Sequence, residues 1–124
     1  MEFWLRGCLI PNMENSWQVV YYISPSGKIP VKEFLDAASP KFKTKALRIL
    51  IHIQEYGMQA IIPHVKKLTG TPLWEIRILG GDNVRILFVT QLGKRILLLH
   101  AFVKKTNKTP SKEIGIAIKR LGLT

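Results

Sequence analysis

The 124-residue chain carries 19 Lys and Arg against 8 Asp and Glu, a formal charge of +11 with a pI near 10.1, and 47% of it is hydrophobic. That composition argues against disorder, fits one domain with one core, and points to an anionic partner. A single cysteine, Cys8, excludes an internal disulfide and a multi-cysteine metal site and suits a reducing cytoplasm, and no apolar run nears the roughly 20 residues of a membrane-spanning helix.

Residues 1–12 read as an extension outside the core, closed by Pro11-Asn12. Met13 would make a natural start for a single domain over 13–124. Trp17–Ile23 is rich in β-branched and aromatic residues and ends at the turn cluster Ser24-Pro25-Ser26-Gly27, which predicts a first strand. Pro30 then opens a short helix ending near Ser39, with Val31, Phe34 and Leu35 on one face. Ser39-Pro40 starts the next helix as cap and first residue, and Gly57 stops it. Phe42, Ala46, Ile49, Leu50 and Ile53 form its core stripe. Lys41, Lys45, Arg48 and His52 form a second, basic stripe with the spacing of a solvated or nucleic-acid-binding face.

Gln59–His64 is a connector, and Val65–Leu68 leads into the loop Thr69-Gly70-Thr71-Pro72. A three-stranded meander follows: Leu73–Leu79, Val84–Thr90 and Arg95–Val103, joined by turns at Gly80–Asn83 and Gln91–Lys94. Strict alternation places Trp74, Ile76 and Ile78 opposite Glu75 and Arg77, and Ile86 and Phe88 opposite Arg85, Leu87 and Val89. It also places Leu97, Leu99 and Ala101 opposite Leu98, His100 and Phe102. After the basic loop Lys104–Lys108, Thr109-Pro110 is expected to cap a final helix with the stripe Ile114, Ala117, Ile118 and Leu121. Glu113 sits in its first turn, and Lys119 and Arg120 in its last, as the helix dipole favours.

The charge is uneven. Between Lys66 and Arg120 lie twelve basic and three acidic residues, a net of +9. No phosphate-binding glycine loop, no paired cysteines and no histidine–acid spacing of a metal site accompany them, so neither metal nor cofactor is expected. What remains is a set of cations, Arg77, Arg85, Lys104, Lys105 and Lys108, with His100 close in sequence. Such a set suits RNA cleavage by the 2′-hydroxyl, in which positioned cations stabilise charge on the phosphate oxygens. The proton needs a base near neutrality, and His100 is the nearby candidate by residue type.

The segments LWEIR, GGDNVRILF and ILLLHAFVKKTNKTPSKEI resemble the RelE/ParE toxin superfamily in its phage-derived, HigB-like branch, and the resemblance extends over Trp17–Leu121. It implies an α+β domain: two N-terminal helices packed on a small, mainly antiparallel sheet of one N-terminal strand plus the meander, with a C-terminal helix. It further implies a toxin that cuts mRNA on the translating ribosome and is held in check by a helix-turn-helix antitoxin. Arg77, Arg85, His100 and Lys104 would then be catalytic. Lys66, Lys67, Lys105, Lys108, Lys45 and Arg48 would hold RNA. The chain has no tyrosine after Tyr56, so His100 or Lys104 would take the part that a tyrosine plays in some relatives. Two other functions suit the same residues: a gyrase poison of the ParE kind, and an inactive basic nucleic-acid-binding phage protein.

Overall fold

A computed structural model describes residues 16–58, 64–78 and 83–122. The expected N-terminal extension, most of the 59–64 connector and the turn residues 79–82 lie outside them. The elements run β1 (Gln18–Tyr21), α1 (Pro30–Ala37), α2 (Pro40–Tyr56), β2 (Val65–Lys67), β3 (Trp74–Ile78), β4 (Val84–Gln91), β5 (Arg95–Val103) and α3 (Ser111–Leu121). The strands form one mixed sheet in the order β1-β5-β4-β3-β2. β1 runs parallel to β5, and every other neighbour is antiparallel. The α+β class is as the sequence suggests. No helix among the described residues is long and apolar enough to cross a membrane.

Local signals account for the helices. Pro30 occupies the first turn of α1, whose Val31 and Leu35 are buried. The Ser39 hydroxyl accepts from the Phe42 amide at the start of α2, and Gly57 at its end donates its amide to the Ile53 carbonyl at 2.8 Å. α1 and α2 cover one face of the sheet, where Phe42, Leu50 and Ile53 meet Ile76, Ile78, Ile86, Phe88 and Leu98. α3 covers part of the other face, where Ala117, Ile114 and Leu121 pack with Leu87, Val89, Leu97, Leu99 and Phe102.

The structure corrects four expectations. Val65–Lys67 is a fifth strand, β2, and not a lead into a loop. Its two lysines suit an outer strand, where charge discourages pairing with another chain, and its order comes from β3 rather than from its own pattern. Alternation fails in β5. Leu87 lies opposite His100 but Phe88 opposite Leu98, so Leu99 is an extra residue and the strand bulges there. Leu98 and Ala101 therefore face α1 and α2, while Leu97, Leu99 and Phe102 face α3. Thr109 does not cap α3. Pro110 occupies the cap position without a side-chain bond, and the Thr109 hydroxyl goes to Glu75. Ile118 leaves the predicted stripe and is exposed.

Gly57 joins α2 to the start of the sheet. Its φ of +78° with ψ of −172° is a conformation essentially confined to glycine, and an added Cβ would lie 2.7 Å from the Trp17 indole nitrogen. The Trp17 amide in turn donates to the Gln54 carbonyl at 3.1 Å. Gly57→Ala should cost about 1–3 kcal/mol of stability, read by urea unfolding. A loss no greater than for a surface substitution would show that this contact relaxes freely.

Candidate nucleic-acid interface

Sheet register sets the site. Arg77 pairs with Arg85 across β3 and β4, and Arg85 with Phe102 across β4 and β5. Facing partners share a side of the sheet, so these three form one row. The next row holds Lys66, Glu75, Leu87 and His100. The bulge at Leu99 keeps His100 on this side with Glu75 and Arg85.

Between the rows lies a buried charge pair. Glu75 is fully buried and Arg85 is 7% exposed, with Arg85 Nε 3.3 Å from Glu75 Oε1. The two atoms attract as charges, but the N–H is not aligned for a hydrogen bond, and neither atom has a hydrogen-bond partner among the described residues. Arg85 Nη1 donates to the Val84 carbonyl at 3.1 Å, and the Thr109 hydroxyl donates to Glu75 Oε2. Glu75 thus ties β3 to β4 and to the end of the basic loop. A second tie, the Lys104 amide donating to the Asn83 carbonyl at 2.7 Å, fixes the start of that loop. Arg85, expected as a phosphate clamp, neutralises Glu75 inside the fold. Lys104 is half-buried, and Lys105 and Lys108 are exposed on the tied loop.

His100 is part of a different network. Its Nε2 lies 3.2 Å from Glu113 Oε1, and its Nδ1 lies 3.2 Å from Arg120 Nη1. A guanidinium only donates, so Nδ1 accepts, and the ring proton sits on Nε2 facing Glu113. The same Arg120 nitrogen donates to the Leu99 carbonyl at 2.9 Å, and the imidazole stacks on Phe102. Burial pushes the His100 pKa below its ordinary 6.5; Glu113 opposes this and Arg120 adds to it. Both ring nitrogens are therefore engaged in holding α3 to β5.

A further set of cations lies where α2 approaches the end of β3. A groove of about 280 Å³ is lined by Lys45, Arg48, Ile49 and His52 of α2, His64 before β2, and Arg77 and Ile78 of β3. No acid stands among these lining residues. Arg77 Nε is buried without a protein acceptor among the described residues. The structure thus joins Lys45 and Arg48, predicted on a helix stripe, to Arg77, predicted on a strand. Lys66 is exposed on β2. Lys67 is exposed too, but its ammonium lies 5.8 Å from the centre of the Trp74 ring and donates to the Thr71 carbonyl. Sequence reasoning passed over Glu75 as a structural centre and His64 as a lining group. The alternation of Glu75 with Arg77 in a buried strand was the one available sign of the former.

The family model for phage-derived, Gp49-like proteins (DUF891) matches residues 33–122. The chain belongs to that family. The Gp49-like match takes in the cation groove, the Glu75–Arg85 pair and the whole α3 latch. No curated protein matches the chain.

Two stability predictions follow from this geometry. Removing one member of a buried ion pair leaves the other charge uncompensated, so Glu75→Ala should cost about 3–5 kcal/mol. Replacing both, as Glu75→Leu with Arg85→Met, should cost clearly less; equal losses in chemical denaturation would refute the pairing. For His100 the unfolded chain takes up its proton near pH 6.5 and the folded chain only at lower pH. Its contribution is complete above that value and declines as pH falls below it. The drop in melting temperature between pH 7.5 and 5.5 should shrink in His100→Gln, and an unchanged drop would refute the assignment.

Proposed function

We propose that this Gp49-like chain is the toxin of a type II toxin–antitoxin pair, a HigB-like member of the RelE/ParE superfamily that cleaves mRNA on the translating ribosome without a metal. The observation that carries this reading is the groove in which Lys45, Arg48 and Arg77 converge without an acid among the described lining residues. An RNA backbone supplies phosphate oxygens at regular intervals, and the buried Nε of Arg77 is a donor without an acceptor among the described residues. Phage-derived family membership and the net charge of +11 agree with it.

Within this reading Arg77 holds the scissile phosphate, with Lys45 and Arg48 beside it. Lys66, Lys105 and Lys108 are further exposed cations outside the groove, and Arg85 acts from within by holding Glu75 and, through Thr109, the end of the basic loop. Arg binds phosphate in a bidentate fashion, and positioned cations stabilise the charge that develops there. The setting is the cytoplasm, and an acidic segment of a helix-turn-helix antitoxin would compete for the same cations.

Induction of the full chain in bacteria should arrest growth and deplete mRNA only while translation continues. Arrest with intact mRNA and DNA damage would favour a gyrase poison instead, and continued growth would leave an inactive binder. In binding to single-stranded RNA, Lys45→Gln with Arg48→Gln should weaken affinity across all sequences. It should also lower the slope of log K against log salt by about 1.4 for the two lost contacts.

A further inference from the structure

Cleavage by a 2′-hydroxyl requires two proton movements, and the latched His100 cannot readily serve either. Its Nδ1 accepts from Arg120 and its Nε2 faces Glu113, both at 3.2 Å. The phosphate-binding groove supplies two other imidazoles. His52 comes from α2 and His64 from the segment before β2, both are exposed, and both line the groove that holds Lys45, Arg48 and Arg77. They approach from two separate elements, which suits a reaction whose entering and leaving oxygens stand on opposite sides of phosphorus.

We infer that His52 and His64 are the general acid–base pair of this groove, acting on a single-stranded RNA phosphodiester; the inference rests on the RNA-cleavage reading above. One neutral imidazole takes the 2′-hydroxyl proton as that oxygen bonds to phosphorus. The bond from phosphorus to the 5′-oxygen breaks, its electron pair leaves with that oxygen, and the other, protonated imidazole supplies its proton. The products are a 2′,3′-cyclic phosphate and a 5′-hydroxyl. The two rings exchange protonation states, which water restores, and no oxidant, reductant or metal enters the balance. Arg77, Lys45 and Arg48 hold the non-bridging oxygens meanwhile. Glu55 and Tyr56 are further charged and titratable neighbours of His52 on its own helix, Glu55 in the adjoining depression and Tyr56 with its ring centre 6.2 Å away.

The test uses the full chain with end-labelled mRNA on translating ribosomes, comparing wild type with His52→Gln and His64→Gln. Each variant should lower kcat by about 10²–10⁴-fold with KM within about twofold and an unchanged melting temperature. Each should also remove one limb of the wild-type pH–rate profile. Variants that keep wild-type kcat, or that raise KM alone, overturn the assignment while leaving RNA cleavage standing. A wild type that cuts no mRNA overturns the cleavage reading itself, and this assignment with it. Cleaved ends lacking a cyclic phosphate overturn the proposed step.

Discussion

The buried contact between Glu75 and Arg85 is the constraint on which the rest of this fold turns. Burying two ions costs several kcal/mol each before their attraction offsets it, and such a pair is tolerated when further bonds satisfy its atoms. Here Thr109 and the Val84 carbonyl provide them. The consequence reaches beyond stability. Because Glu75 holds Thr109, the basic loop cannot drift from β3; because it holds Arg85, that guanidinium is turned inward. Arg77, one position across the register, is left to serve the outer edge.

The second constraint is the bulge at Leu99. Without it His100 would face α1 and α2, in a layer made of Ile, Leu and Phe. With it, His100 meets Glu113 in the first turn of α3 and Arg120 in the last. A helix dipole favours charges of those signs at those ends, so Glu113 and Arg120 serve the helix and the imidazole together. This places a polar latch beside an apolar layer and accounts for the long separation in sequence between the partners.

How much of this was legible follows from how local each signal is. Ser39-Pro40 and Gly57 delimit α2 because capping and the glycine conformation act within a few residues. The meander was readable from its turns. β2 was not, since three residues with two lysines carry no pattern and are ordered by pairing alone. The bulge was equally hidden: Leu98, Leu99 and His100 look alike whether or not one is extra, and the choice depends on how β4 is registered. Thr109-Pro110 read as a helix cap because nothing local says that the hydroxyl prefers a carboxylate 34 positions earlier. The α2 stripe of Lys45, Arg48 and His52 read equally as a solvated or a nucleic-acid-binding face. Only the approach of β3 gives it a second wall.

That second wall changes what the charges mean. Cations spread over a surface repel weakly through water, but cations lining one groove lie closer together and are partly shielded from solvent, which raises the cost of their repulsion. The fold neutralises Arg85 with Glu75 and engages Arg120 with the Leu99 carbonyl, while Arg77 Nε has no acceptor among the described residues. An acid of its own, Glu75, stands two residues from Arg77 in β3, yet it is turned to the interior. An anion entering the groove would meet Lys45, Arg48 and Arg77 and no acid among its described lining residues.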